Sequence, residues 1–384
     1  GNHTWSFHAA DVPASAHCWL EKLVTSQWSD YLVRFPGFER RVNLPYSSIN
    51  SRHFGRVVSQ AFQNCQLESN AVQKSGGLQT LPALSGRVKV KRSVGELVLS
   101  DADWPAWHPQ VGPASRLLLG TEVEYVTQDS VSTTESEFDG KVVIDCRGPD
   151  RAELHSMGHC GYQKFRGSEI ELERAWPEPC PVVMDGCMSQ EGGFRFMYTL
   201  PFDSHRVLIE DTQFSDSRDL ERDTCLRNVT AFIEKRTNSR WRIIREESGC
   251  LPMPWTRALM PSARDPIKGG YAGGWFHAAT GYSFPLAVRF AEAVATTPPD
   301  RVVDSVRRLA DQHRVQAKQA RLLNRLLFRM VRPERRYEIF RRFYQVLPEQ
   351  TISRFYSHGF TGGDLSRIVV GRPPSRLSPC LLYT

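Results

Sequence analysis

Two pairs of adjacent carboxylates are the residues in this chain best suited to acid–base chemistry. Glu210-Asp211 ends a predicted strand, and Glu246-Glu247 precedes the segment 249–252. Neighbouring carboxylates raise each other's pKa, so one of them can stay protonated and act as an acid. Successive residues of a strand face opposite sides, however, and the residues alone favour a solvated turn for both pairs.

A second pattern is the glycine-rich stretch from Gly269 to Pro285, in which five glycines fall within thirteen positions. Glycine allows positive φ and a close approach of the backbone to a ligand. Ser283 is suited to cap a helix, Pro285 suits its first turn, and the apolar run 286–294 follows. A helix N-terminus after such a loop can bind an anion such as a dinucleotide pyrophosphate. Because the order G-x-G-x-x-G is absent, an ordinary loop before a core helix is the alternative.

The elements around these residues predict two kinds of sheet. A short buried strand over 141–145 ends in a small-residue turn, as in doubly wound sheets that deliver backbone to a ligand. The segments 181–185, 194–200 and 206–212 alternate like antiparallel strands, and 28–45 is typical of a hairpin. Residues from about 66 to 115 lack a sustained period and are predicted to be an inserted loop.

Composition limits the class of protein. The chain has 384 residues, of which 40% are hydrophobic and 24% charged, enough for two interleaved soluble domains. The sequence contains no run of eighteen apolar residues, so no transmembrane helix is expected. Nine cysteines without a C-x-x-C pair argue against a disulfide framework or a zinc site, so we expect reduced cytosolic thiols and no metal.

The net charge of +7 is concentrated near the C-terminus, where residues 301–384 contain 17 Lys and Arg against 6 Asp and Glu. Arg321, Arg325 and Arg329 recur every four residues beside leucines, which predicts a helix with one basic and one apolar stripe. Such a helix can lie among anionic lipid headgroups. The alternative, which the residues alone favour, is a surface helix that buries its leucines in the protein. No recognition motif for nucleic acid accompanies the basic region, so no such partner is expected.

Several longer blocks carry a resemblance to a known family. The chain is similar to the bacterial lycopene β-cyclases, in the family's order, from residue 1 to about 376. The blocks that carry the resemblance are the segments 1–8, 143–148, 184–185, 208–212, 245–252, 272–283, 323–328, 342–344 and 347–356.

The resemblance implies an α/β fold: a doubly wound FAD/NAD(P)-binding domain with an inserted antiparallel-sheet substrate domain and a helical C-terminal region. We assign residues 1–150 to a partial FAD-binding domain, 151–250 to the substrate sheet, 251–300 to a return segment of the FAD domain, and 301–384 to basic helices. Since G-x-G-x-x-G is absent and the first residue is not Met, we expect an N-terminally truncated chain that binds FAD poorly.

The implied reaction closes the acyclic ψ-ends of lycopene into β-ionone rings, through γ-carotene to β-carotene, without net redox change. Protonation of the terminal double bond gives a carbocation, the C5=C6 bond attacks it, and C6 loses a proton. The implied cofactor is reduced FAD with NADPH as electron donor. Other ψ-end carotenoids and a membrane surface are expected partners, which implies a cytoplasmic protein attached to the inner face of the cell membrane.

The resemblance also implies roles for single residues. Glu210 is expected to transfer the proton or stabilise the cation, with Asp211 as second carboxylate and Glu246 as a weaker candidate. The residues expected beside the flavin are Asp145, Arg147, Gly148, Gly273, Gly274, Thr280 and Gly281. A related flavin monooxygenase or prenyl reductase, or a non-catalytic remnant that binds carotenoid or membrane only, remains the alternative.

Overall fold

The computed structural model describes residues 3–62, 88–90, 118, 120–149, 159–256 and 266–369. Most of the predicted inserted loop therefore lies outside the described residues. The strands, in chain order, are β1 Thr4–His8, β2 Ser26–Trp28, β3 Tyr31–Phe35, β4 Phe38–Val42, β5 Tyr46–Asn50, β6 Val88–Val90, β7 Val123–Val126, β8 Ser130–Thr133, β9 Ser136–Asp139, β10 Ile144–Asp145, β11 Cys160–Leu172, β12 Val182–Asp185, β13 Phe194–Pro201, β14 Arg206–Ser215, β15 Trp241–Pro254 and β16 Ile267–Lys268. The helices are α1 His17–Leu20, α2 over 51–62, α3 Arg222–Glu234, α4 Phe284–Ala295, α5 Val302–Met330, α6 Arg336–Val346, α7 Glu349–Tyr356 and α8 Gly362–Val369.

A seven-stranded sheet dominates the fold, in the order β15-β11-β14-β13-β12-β3-β4. The long strand β11 pairs in antiparallel fashion with both of its neighbours, β14 and β15. β12, β13 and β14 also pair antiparallel in succession, as their alternating pattern predicts. The hairpin β3–β4, which turns at Gly37 with φ +71°, joins the same sheet through a parallel pairing of β3 with β12. The sheet thus combines strands from both sides of residue 150.

Both faces of this sheet are buried, because alternate residues of β14 enter two different cores. Ile209 belongs to a cluster that packs the sheet against α3. Leu208 and Phe214 belong to a larger cluster that includes residues of α5, α6 and α7. A residue of β14 therefore faces α3 or the C-terminal helices according to its parity.

Two smaller sheets complete the framework. β1, β5 and β2 form an antiparallel sheet in the order β1-β5-β2. β10 pairs in parallel with β16, so that Asp145 lies opposite Lys268 and the end of β10 meets the start of the glycine-rich stretch. The stretch then leads into α4, as predicted.

The C-terminal region is helical, as predicted, and wraps the face of the large sheet opposite α3. α5 extends over 29 residues and buries Ala310, Ala317, Ala320 and Leu327 along one side. Small side chains at that spacing let the helix approach its neighbours closely. Within the described ranges, no helix has both the length and the apolar character needed to cross a membrane.

Candidate active site

A cavity of about 760 Å³ lies between the large sheet, β1, the glycine-rich stretch and the C-terminal helices. Its volume is within the range of pockets that bind small organic molecules. Most of the wall is apolar and aromatic, with contributions from Phe165, Phe196, Phe214, Leu323, Leu327, Met330, Phe340, Phe343 and Tyr356. Such a wall favours an apolar ligand, and its rings can turn their electron-rich faces towards a cation.

Glu210 brings a carboxyl group into this apolar wall. It lines the cavity with Thr212 and Phe214, which share its face of β14, and its partner on β13 is Tyr198. The side chain is half-buried by area because it borders the cavity, yet protein atoms shield it from bulk water. Burial and the nearby Glu247 hold the pKa of Glu210 well above its usual range. This shift favours the protonated acid, and the group faces an apolar cavity.

Glu247 is the second carboxyl group of the site. It is buried on β15, two strands away from Glu210, and lies close enough to that residue for the two carboxyl groups to interact. Arg245 Nη1 donates to Glu247 Oε2 at 2.5 Å, and Thr4 Oγ1 donates to the same oxygen at 3.2 Å. Arg245 Nε also donates to Glu169 at 2.5 Å, which fixes the guanidinium. A guanidinium and a hydroxyl group therefore donate to one oxygen of Glu247 and fix its position.

Three hydroxyl groups lie beside this pair. Ser6 Oγ is 2.7 Å from Tyr198 OH, Tyr46 OH donates to Ser6 Oγ at 3.0 Å, and the two phenol oxygens are 3.2 Å apart. Burial raises the pKa of Tyr46 to about 12 and that of Tyr198 well above its usual value. Both phenols therefore stay protonated and can orient dipoles towards the cavity.

The glycine-rich stretch supplies another part of the wall, through Thr280 and Gly281. Gly281 has φ +69°, and an added Cβ would lie 2.6 Å from the Leu251 side chain, so only glycine fits there. α4 starts directly afterwards, with Pro285 in its first turn as predicted. Ser283 occupies the N-cap position, as predicted, but its side chain makes no capping hydrogen bond. No side-chain cap therefore competes with a ligand for the first N–H groups of α4.

Gly273 and Gly274 shape the turn and do not line the cavity. A Cβ on Gly273 would lie 2.0 Å from the carbonyl oxygen of Lys268 and against the ring of Trp275. Gly274 has φ +76°, and its carbonyl oxygen is 3.2 Å from His313 Nε2. Both glycines allow the tight fold that presents Thr280 and Gly281.

Asp145, Arg147 and Gly148 lie together at the end of β10. The Gly269 N–H donates to the carbonyl oxygen of Asp145 at 2.8 Å, which connects this strand end to the glycine-rich stretch. Arg147 forms an ion pair with Asp145 at 2.8 Å, and its hydrogen bonds lower the pKa of that carboxyl. Gly148 has φ +91°. These residues adjoin the stretch at its start, away from the cavity wall.

The match to known proteins decides the family. Residues 1–79 and 114–380 fit the family model described as Lycopene cyclase protein. The chain belongs to the lycopene cyclase family. It is 32% identical to the lycopene beta-cyclase of Pseudescherichia vulneris over 380 residues, covering 97% of this chain and 84% of that one. It is 30% identical to the enzyme of the same name from Pantoea ananas, covering 97% and 85%, and 31% identical to that of Paracoccus sp. strain N81106, covering 99% and 86%.

A solved structure shares the fold of this lycopene cyclase family member. The flavin-dependent brominase Bmp2 superposes with a TM-score of 0.50 at 12% sequence identity, over 93% of this chain and 84% of that one. The likeness supports the predicted fold class, in which a cofactor domain, an antiparallel sheet and C-terminal helices belong to one chain.

Asp211 does not lie in the cavity of this cyclase family member. It is fully buried on the opposite face of β14, where Arg195 Nε donates to it at 2.7 Å and Asn228 Nδ2 at 3.0 Å. Asn228 is on α3, so the carboxylate connects the sheet to that helix. The alternation of strand residues explains why Glu210 and Asp211 do not share a site.

Glu246 also lies away from the cavity. It accepts hydrogen bonds from Arg222 at 2.6 Å and Arg166 at 3.5 Å in a partly exposed cluster. Glu247, the other member of that carboxylate pair and not itself a predicted site residue, takes the inner position instead. On β15, Glu247 shares its parity with Gly249 and Leu251, both of which line the cavity, but the residues alone do not show which parity faces inward.

Proposed function

We propose that this chain is a lycopene β-cyclase, which converts the ψ-ends of lycopene to β-ionone rings, first giving γ-carotene and then β-carotene. One observation carries the proposal: Glu210, a carboxylic acid with a raised pKa, faces an apolar cavity lined with aromatic rings. Cyclisation of an unactivated alkene needs an acid in a dry site. The curated relatives, each named lycopene beta-cyclase, support the choice of substrate.

In this mechanism, the carboxyl group of Glu210 gives its proton to C2 of the terminal double bond, which leaves a tertiary cation at C1. The electron pair of C5=C6 then forms the C1–C6 bond and moves the charge to C5. Loss of the C6 proton restores a double bond between C5 and C6. The rings of Phe196 and Phe214 can stabilise the cations, and the apolar wall excludes the water that would capture them.

We propose that FAD is the cofactor and that Thr280, Gly281 and the N-terminus of α4 hold part of it. The local structure fits such a group, because Gly281 has no Cβ to block an approach and no side chain caps α4. Bound FAD, reduced at the expense of NADPH, would add negative charge near the cation. Asp145, Arg147, Gly148, Gly273 and Gly274 stay predicted contacts of the same cofactor. The flavin dependence named for Bmp2 supports this assignment.

We further propose that the protein docks on the inner face of the membrane, because lycopene is a hydrocarbon held in the bilayer. The last turns of α5 supply Leu326 and Met330 to the cavity wall, and α6 supplies Ile339. Arg325 and Arg329, on the same turns of α5, are exposed. A basic surface beside apolar cavity residues suits contact with anionic lipid.

The chain should be expressed in cells that accumulate lycopene, with Glu210→Gln as the matched inactive control. We expect β-carotene, which is isomeric with lycopene, from the native chain and unchanged lycopene from the variant. A product of altered mass with stoichiometric NADPH consumption would indicate a monooxygenase or reductase. Unchanged lycopene with the native chain would favour a non-catalytic remnant.

A further inference from the structure

Gly167 lies between the two carboxyl residues of the site. In the pairing of β11 with β14 it is opposite Glu210, and in the pairing of β11 with β15 it is opposite Glu247. Residues two strands apart have backbones about 10 Å apart, and a side chain on the middle strand normally separates them. Because position 167 has no side chain, Glu210 and Glu247 can meet above it.

The space above Gly167 is already filled by the two glutamates. A Cβ at this position would lie 2.8 Å from Glu210 Cγ, 3.2 Å from Glu210 Oε1 and 3.2 Å from Glu247 Cγ. Gly167 has no positive φ, so backbone conformation does not require glycine here. Glycine is needed at position 167 because a side chain there would separate the two carboxyl groups.

On the basis of the proposed function, we propose that Glu247 is a positioning residue that keeps the reactive proton on Glu210, and that Gly167 is required for their contact. Arg245 and Thr4 both donate to Oε2 of Glu247 and hold its carboxyl group in place. The other ionisable groups that face Glu210 are Arg245 from β15, Tyr198 from β13 and Tyr46 from β5.

The pair also accounts for the proton balance of one ring closure. When the Glu210 O–H bond breaks and C2–H forms, two carboxylates face the new cation and stabilise it. When the C6–H bond gives its electrons to the C5=C6 bond, the released proton returns to Glu210. The residue then has the protonation state in which it began, and no external acid or base is consumed.

Infrared titration of the purified full chain tests the pairing without substrate or cofactor. A protonated carboxylic acid gives a carbonyl stretching band. The band that is present in the native chain and absent in Glu210→Gln belongs to Glu210. We expect the titration midpoint of this band to fall by at least about one pH unit in Glu247→Gln, which removes the neighbouring charge. Gly167→Ala should shift it in the same direction, although every ionisable group is retained.

Two controls separate pairing from general disturbance. Glu246→Gln changes the adjacent carboxylate, which lies in the Arg222 and Arg166 cluster. Gly186→Ala, at a position outside the cavity wall, places its added Cβ 3.2 Å from Phe35 and leaves the carboxyl groups alone. In both control variants, the Glu210 band should have the same titration midpoint as in the native chain. A circular dichroism spectrum of each variant establishes that it is folded.

The same variants also distinguish this inference from the proposed function. Absence of a Glu210 band in the native chain, an unchanged midpoint in Glu247→Gln, or an equal shift in Glu246→Gln would overturn the pairing. If the Gly167→Ala protein is unfolded, the midpoint measured in Glu247→Gln alone tests the pairing. If the midpoints shift as expected but lycopene-accumulating cells form no β-carotene, the carboxyl pair stands and the proposed reaction fails.

Discussion

At the scale of residues, adjacent carboxylates in one strand have opposite tasks. Glu210 meets an apolar cavity and a second carboxylate, so its protonated form is stabilised. Asp211, on the other face, accepts hydrogen bonds from Arg195 and Asn228 and connects the sheet to α3. The parity of the strand, rather than residue type, decides which of the two can act as an acid.

Replacing Glu210 by Gln is expected to lower the rate of ring closure by about 10²- to 10⁴-fold, the usual contribution of a general acid. The same change should raise the free energy of unfolding at pH 7. Above the ordinary pKa of 4.5, the unfolded chain releases a proton that the folded state retains, so Glu210 costs stability as the pH rises. Turnover and urea denaturation measure the two effects. A variant that retains native turnover would exclude Glu210 as the acid.

Replacing Asp211 by Ala is expected to act on stability. The change leaves the guanidinium of Arg195, whose side chain is 14% exposed, without its carboxylate partner. Removing one partner of a buried ion pair costs about 3–5 kcal/mol. Urea denaturation should show this loss, with a smaller one for Asp211→Asn. A fully stable Asp211→Ala protein with no activity would instead support the catalytic role first expected from sequence.

At the scale of elements, the alternation of hydrophobic residues predicted the strands but not the register in which they pair. The alternating segment 206–212 becomes β14, and the glycine-rich stretch leads into α4, as predicted. The contact between Glu210 and Glu247 depends on the alignment of β14, β11 and β15, which includes a register shift between Glu169 and Ile170. No local pattern specifies that alignment, so Glu246 and Glu247 could not be distinguished by their neighbours alone.

Three buried histidines connect the glycine-rich stretch to the C-terminal helices. His277 Nε2 donates to the carbonyl oxygen of Phe355 at 3.0 Å, and its Nδ1 accepts from the N–H of Ala279 at 3.2 Å, which requires the neutral ring. His313 Nδ1 and His358 Nδ1 are 2.9 Å apart, so one of them must be an unprotonated acceptor. Burial lowers the pKa of His277 to about 3 and that of His313 to about 4.

Acid is therefore expected to loosen this contact. Folded pKa values below the ordinary 6.5 mean that the unfolded chain binds more protons, so stability is complete above pH 6.5 and falls below it. Each histidine should cost about 1 kcal/mol at pH 5.5. Urea denaturation from pH 7.5 to 5 measures the slope. His277→Gln, which does not titrate, should reduce it, whereas His159→Gln at an exposed position should not. An equal slope in all three proteins would contradict this account.

At the scale of the whole molecule, α5 combines cavity wall and basic surface. Its leucines have different surroundings: Leu327 is buried, Leu323 and Leu326 line the cavity, and Leu322 is exposed. Arg321 is half-buried, and burial lowers its pKa. The exposed positive charge of these turns therefore comes from Arg325 and Arg329, next in sequence to the cavity-lining Leu326 and Met330.

Reversing those two charges should weaken binding to anionic vesicles. Each basic residue near such a surface contributes about 1 kcal/mol of binding free energy. The double variant Arg325→Glu with Arg329→Glu should therefore bind the vesicles with at least about tenfold lower affinity at low salt. Arg307→Glu with Arg314→Glu, two exposed residues on the first half of the same helix, is the matched control. Sedimentation with phosphatidylserine vesicles measures both. The two double variants change the same helix by the same total charge. Equal losses of binding in both would therefore mean that net charge governs attachment. Native binding by both would mean that this end of α5 does not contact the lipid.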